Sequence, residues 1–374
     1  MSLLHTDLVS SLNLSDRILN WNYVNKLIAA PMVRISTLPF RLLCVNHGAD
    51  IVYSEELIAV KLAKCTRSYN ASNDTIEYVL PDSNNNPASC TPVLATYQHE
   101  PLVVQLGVSN GVDALAAASV VLNDCCAIDI NGGCPKRFST QGAMGSALLS
   151  NVNGIDDIVR TLKRNINKPV TMKIRLLDSN KQTIELIKQI QSMGVTAIAV
   201  HCRMIDDRPL HRAATHRFNE IYDICNTVDT PILYNGDAFD YGDIDTIKQQ
   251  TGCNTLLLAR GSLWNPSIFH YSSTGLQPLP LYDISSEYLD IAQQYSNILP
   301  NTKYCLSEMY KLHISKHTQF ERLTQSKSYS DLHQAIQSIS EINVCRSVYK
   351  KPVLHWRIKN DVIEQPNKKH KHQP

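Results

Sequence analysis

The stretch VTMKIRLLDSNKQTIELIKQIQSMGVTAIAVH (Val170–His201) reads as one complete unit of strand, helix and strand. Val170–Ile174 is a short, mostly apolar run rich in β-branched residues. Thr183–Met193 brings Ile184, Ile187 and Ile190 to one helical face, and Ala197–Val200 is apolar again. Short apolar runs separated by amphipathic helices are the signature of parallel strands covered on the outside. The same unit recurs in both directions. Upstream lie the runs Leu27–Ala30, Ile51–Tyr53, Leu102–Leu106 and Ala127–Ile130, and downstream Pro231–Tyr234 and Thr255–Leu258. Amphipathic segments such as Asp113–Leu122, Ile155–Arg164 and Ile244–Gln250 fall between them. Eight runs at this spacing fit an α/β chain folded as a (β/α)8 TIM barrel, typically about 250 residues long.

The barrel is expected over residues 26–272, after an N-terminal extension, 1–25. One connection is too long for a single unit. Between strands two and three, Thr75–Leu80, a polar turn (Pro81–Pro87) and Val93–Tyr97 predict a hairpin inserted at about 60–100. Strand signals vanish after Ile268. A linker holding Pro278 and Pro280 (273–283) then leads to a helical domain, 284–352, with long stretches from Ile284 to about His317 and from about Ser330 to Lys350. A basic tail, 353–374, follows.

The composition, 43% hydrophobic and 19% charged over 374 residues, is that of a globular protein with a large core. No run approaches the roughly 18 apolar residues of a membrane span, and no secretory signal is expected from the opening residues. The eleven cysteines form no CxxC pair, so neither a metal site nor a disulfide framework is expected. A reduced, cytoplasmic setting fits best, with nuclear or mitochondrial entry left open. Net charge is only +2, but Arg346–Lys371 holds eight basic residues and two acidic ones, making that segment +6 and the remainder −4. Such asymmetry points to a polyanionic partner, or to a solvated tail.

Barrel enzymes carry their chemistry at the C-terminal ends of the strands. Here those ends are Ala30-Pro31-Met32, Gln105-Leu106-Gly107, Asn131-Gly132-Gly133-Cys134-Pro135, Lys173-Ile174-Arg175, His201-Cys202-Arg203, Asn235-Gly236-Asp237 and Ala259-Arg260-Gly261. The last two suggest a phosphate site, with Arg260 for charge and Gly236 and Gly261 for close backbone approach. An inward Lys173 calls for an anion to meet it, unless it snorkels out at the strand end. Cys134, on a turn stiffened by Pro135, has a thiol whose ordinary pKa near 8.5 suits a general acid at neutral pH. Cys125 and Cys126 read as core.

Taken in order, these seven motifs resemble the tRNA-dihydrouridine synthase family from about Leu27 to Trp264. The block INGGCPKRFSTQGAMGSALL (Ile130–Leu149) resembles its eukaryotic branch acting at position 20 of the tRNA D-loop. The resemblance implies an FMN barrel, NADPH or NADH as reductant, tRNA as partner, and no obligate protein partner is evident. It implies FMN contacts from Pro31, Met32, Gln105, Lys173, His201, Asn235, Gly236, Asp237, Ala259 and Arg260, and Cys134 as proton donor. Lys173 is then the cation that stabilises the reduced flavin. Asn131, Arg175 and, on the loop after strand six, Arg203, Arg208 and Arg212 are expected to meet the RNA, unless that loop is a solvated basic surface patch. Two positions depart from the pattern: Gly132 stands for the usual methionine and Cys202 for a small residue, leaving the packing around the flavin open. A flavin barrel for a free pyrimidine, such as a dihydroorotate or dihydropyrimidine dehydrogenase, and a non-catalytic RNA-binding barrel remain alternatives.

Overall fold

A computed structural model describes residues 22–81, 91–207, 217–272 and 278–342. Its central element is a closed ring of parallel strands: β1 (Leu27–Ala29), β2 (Ile51–Tyr53), β7 (Leu102–Gly107), β8 (Ala127–Gly132), β9 (Val170–Arg175), β10 (Ala197–His201), β11 (Ile232–Asn235) and β12 (Leu256–Leu258). β12 pairs back onto β1 with Leu27 beside Leu256. A two-residue strand, β3 (Leu57–Ile58), adds onto β7. The eight barrel strands are those the apolar runs predict, with ends displaced by a residue or two.

Side chains alternate along a strand, and here that alternation sorts chemistry. One parity sends Val170, Met172 and Ile174 outward into the layer shared with the helices. The other sends Ile28, Tyr53, Val103, Ala127, Ala199, Leu233 and Leu257 into a small inner core. The same inward parity continues upward through Gln105, Asp129, Asn131, Lys173, Arg175, His201 and Asn235. Strand register sets these side by side: Gln105 beside Asp129, Asn131 beside Lys173, and His201 between Arg175 and Asn235. The barrel is therefore apolar at its base and polar at its C-terminal mouth.

Short polar residues start the outer helices. Asn110, Asn151, Ser179 and Asp240 each accept a backbone N–H from the first turn of helices Gly111–Val121, Val152–Asn165, Asn180–Ser192 and Tyr241–Thr251. Each such cap is worth about 1 kcal/mol. The last of these helices stops at Gly252, whose φ of +66° only glycine adopts cheaply.

The insertion is a three-stranded antiparallel sheet, not a bare hairpin. β4 (Thr66–Asn70) pairs with β5 (Thr75–Val79), which pairs with β6 (Leu94–Thr96). β4 lacks an apolar run because most of its side chains face solvent or the sheet rim. Arg67 and Tyr78 both grip Asp124 ahead of β8, the guanidinium at 2.7 and 2.9 Å. A fully buried ion pair, Arg41 with Glu100, ties the insertion to the barrel; Arg41 also donates to the carbonyls of Ser36 and Ala95.

Beyond the barrel the chain is helical: Leu281–Gln294, Leu299–Ile314, Thr318–Gln325 and Tyr329–Ile339. The first long helical stretch of the sequence reading is broken at Tyr295–Ile298, where Ser296 adopts φ +52° and Pro300 opens the next helix. The last begins at a capping box of Ser328 and Asp331. Leu281, Ile284, Leu289, Met309 and Ile336 join the same buried cluster as the barrel's outer layer, so the helical region shares the barrel's core. Polar contacts reinforce this seam: His47 lies between His270 (3.1 Å) and Glu287 (2.9 Å), and Asn301 donates to the Arg34 carbonyl at 2.7 Å. No described helix is long and apolar enough to cross a membrane. The N-terminal extension up to Trp21, Arg208, Arg212, the start of the linker and the basic segment from Arg346 lie outside the described residues.

Candidate active site

A cavity of about 240 Å³ opens at the C-terminal mouth of the barrel. Residues from seven of the strand-end motifs line it, among them Pro31, Gln105, Asn131, Cys134, Lys173, Arg175, His201, Arg203, Asn235, Gly236, Asp237, Ala259 and Arg260. Met32 is not in this wall; it turns toward the outer core and its N–H binds the Ser36 hydroxyl at 3.0 Å. Among the described residues no cluster of three or more His, Cys, Asp or Glu stands ready to hold a metal.

The mouth is strongly cationic. Lys173, Arg175, Arg203 and Arg260 converge there, and His201 is held neutral: burial first, and then the four surrounding cations, push its pKa well below the usual range. Its tautomer follows from geometry. Arg203 Nη1 can only donate, so His201 Nε2, 2.8 Å away, accepts, and the ring proton resides on Nδ1. Asp237 offsets part of this charge by accepting from Arg203 at 3.1 Å and from Arg260. Arg260 is further fixed over the stacked rings of Phe239 and Trp264.

Lys173 points inward rather than snorkelling. Burial, then the neighbouring Arg175, lower its pKa to about 8, with Asp129 opposing. Asp129, wholly buried beneath it, accepts from Gln105 Nε2 at 2.8 Å and Thr171 Oγ1 at 2.6 Å; burial still lifts it to about 6. Sequence reasoning missed Asp129. It lies mid-run in an apolar strand, and the signal was its parity with Asn131.

Several residues expected to meet a ligand also hold the protein itself. Asn131 Oδ1 accepts the N–H groups of Gly133 (2.9 Å) and Cys134 (3.2 Å), shaping the cysteine turn. Arg175 clamps that turn through the Gly133 carbonyl at 2.7 Å and the following loop through the Met204 carbonyl at 2.8 Å. Arg203, expected on a surface loop facing RNA, is folded inward with only 8% of its side chain exposed. Gly236 and Gly261, expected beside a phosphate, are also packed closely against protein atoms. A Cβ at Gly261 would stand 2.0 Å from the Ala238 carbonyl, and one at Gly236 would stand 2.2 Å from the Tyr234 hydroxyl. Tight packing against protein atoms requires them.

Cys134 is half-buried on the rim of the cavity. Burial is the largest influence on its thiol and raises its pKa, so it is protonated at neutral pH. Cys125 and Cys126 are fully buried. Both departures from the family pattern face away from the cavity. A Cβ at Gly132 would meet Met172 Cε at 2.6 Å, and Cys202 sits in the outer core.

Residues 27–351 match the family described as "Dihydrouridine synthase (Dus)". A Schizosaccharomyces pombe protein named tRNA-dihydrouridine(20) synthase is 36% identical over 324 residues, covering 84% of this chain and 66% of that protein. Its Saccharomyces cerevisiae namesake is 33% identical over 330 residues, 85% of either chain. A second S. cerevisiae protein, named for positions 20a/20b, is 31% identical over 244 residues, 65% of this chain and 61% of its own. All three names specify NAD(P)+. With similarity running from β1 into the helical region and over most of the chain, this protein belongs to the dihydrouridine synthase family.

Proposed function

We propose that the protein reduces the C5–C6 double bond of a uridine in the tRNA D-loop, at position 20, using FMN and NADPH or NADH. One observation carries this reading: a protonated thiol, Cys134, stands on the rim of a cation-lined cavity at the barrel mouth.

The residues present suit FMN. Arg203 and Arg260 offer an excess of positive charge over Asp237 to an anionic phosphate ligand. Gln105, tethered by its amide nitrogen to Asp129, is left with its carbonyl oxygen to meet a ring edge. When bound and reduced by the nicotinamide, FMN supplies the hydride that adds to uracil C6. The chain supplies the rest. Its mouth accepts a uridine swung out of the RNA, since the target bond is unreachable in a stack. Cys134 gives its Sγ proton to C5. Asn131 and Arg175 keep the thiol on the rim while it does so. Lys173 is the cation for negative charge on the ring system. Arg208, Arg212 and the basic tail are the candidates for phosphate contacts, and the location proposed is the cytoplasm.

The test is direct. Purified protein with FMN and NADPH is incubated with an unmodified tRNA transcript, and separately with free uracil and with dihydroorotate. Dihydrouridine at position 20 and no turnover of the free bases supports the reading; turnover of a free pyrimidine with tRNA untouched overturns it.

A further inference from the structure

Glu56 belongs to none of the motifs above, yet it lines the cavity beside Cys134. It follows β2, on the loop into β3. Ser139, wholly buried in the short helix Arg137–Gln141 just past the cysteine turn, donates from Oγ to Glu56 Oε1 at 3.2 Å. Two glycines make the room. A Cβ at Gly107, on β7, would lie 2.8 Å from Glu56 Oε1. A Cβ at Gly145, whose φ is +60°, would lie 2.5 Å from both Ser139 Oγ and the Cys134 carbonyl and 3.0 Å from Cys134 Cβ. The Cys134 carbonyl is itself held by the Ser146 N–H at 2.9 Å. Carboxylate, hydroxyl and thiol are thus packed together from three segments of chain.

We infer that Glu56 and Ser139 are positioning residues for Cys134, holding its thiol protonated at rest and returning its proton after each transfer. The inference rests on the acid role proposed for Cys134. The surrounding electrostatics have the required signs. After burial, the Lys136 backbone N–H pulls the thiol pKa down, Glu56 pushes it up by its charge and by accepting the thiol proton, and the Ser139 hydroxyl pulls it down. The other charges facing the sulfur, Lys173 and Arg175 on β9, favour thiolate. Glu56 opposes them. When C5 takes the proton, the S–H bond breaks, a C–H bond forms and sulfur keeps the electron pair. Ser139 Oγ–H then turns to the thiolate, and a proton from water at the cavity reaches Sγ by way of the Glu56 carboxylate.

The experiment follows the rate of Cys134 alkylation by iodoacetamide against pH in the FMN-loaded protein, read by mass spectrometry of the Cys134 peptide. Glu56→Gln is expected to lower the midpoint by about one pH unit, and Ser139→Ala to raise it. Multiple-turnover formation of dihydrouridine should fall at least about tenfold in Glu56→Gln. Opposite shifts are not produced by loosened packing, and Ser139→Ala keeps the test open if Glu56→Gln fails to fold. A folded Glu56→Gln protein with the wild-type midpoint overturns the inference, as does a Ser139→Ala midpoint that falls. Dihydrouridine formation by the wild type is read separately: shifted midpoints in a protein inactive on tRNA would refute the function while leaving the pairing intact, and an active wild type with unmoved midpoints would refute the pairing alone.

Discussion

Gln105 Nε2 donates to Asp129 Oδ2 at 2.8 Å, between neighbouring strands that hold the two residues in register. The bond decides which end of the Gln105 amide faces the cavity, and it places a carboxyl beneath Lys173 where no water reaches. Burial raises Asp129 to about 6 despite the hydrogen bonds from Thr171 and Gln105. A carboxyl that binds its proton more tightly folded than unfolded destabilises the fold as pH rises. Stability of the FMN-free protein should therefore decline between about pH 4 and pH 6, by up to about 3 kcal/mol. Urea midpoints across that range check this, and Asp129→Asn should flatten the decline.

Lys173 titrates near the working range because burial and Arg175 bring it down to about 8. An anionic ligand binds the protonated form preferentially, so FMN affinity should fall as pH rises through 8. Lys173→Met should weaken FMN at least about tenfold, the cost of losing one charge-assisted contact, and abolish the inflection. Flavin fluorescence quenching titrated at several pH values reads both.

Arg41 and Glu100 are not among the residues that line the cavity, and their pairing bears on stability. Both are fully buried, and Thr96 adds a hydroxyl to Glu100 at 2.6 Å. Removing one partner leaves an uncompensated charge, which costs about 3–5 kcal/mol. Arg41→Leu should lower the urea midpoint accordingly, through loosening of the inserted sheet. Glu100→Gln, which leaves the Arg41 guanidinium buried without its counter-charge, should cost a similar amount.

The barrel was legible because parallel strands buried on both faces must be apolar runs, and amphipathic helices, four of them with side-chain caps, separate them here. The mouth was legible because polar residues at strand ends have little structural reason to recur. What the sequence hid depends on neighbours far along the chain. β4 carries polar side chains and is a strand only because β5 pairs with it. Asp129 looked like an interruption of an apolar run, and only its inward parity reveals it as the support of Gln105 and Lys173. Arg203 read as a surface cation because the residues that draw it inward, His201 and Asp237, sit on two different strand ends. Gly236 and Gly261 matched a phosphate loop, while the space they leave is filled by Tyr234 and Ala238. Glu56 meets Cys134 only once the ring of strands has closed.

The acid role of Cys134 is the account's centre, and single-turnover reduction of tRNA measures it most directly. Cys134→Ala protein, loaded with FMN and reduced beforehand with NADPH, is mixed with a stoichiometric unmodified transcript, and dihydrouridine is quantified against time. A loss of about 10²–10⁴-fold relative to wild type, with flavin content unchanged, is the expected result; formation of dihydrouridine at the wild-type rate would contradict it.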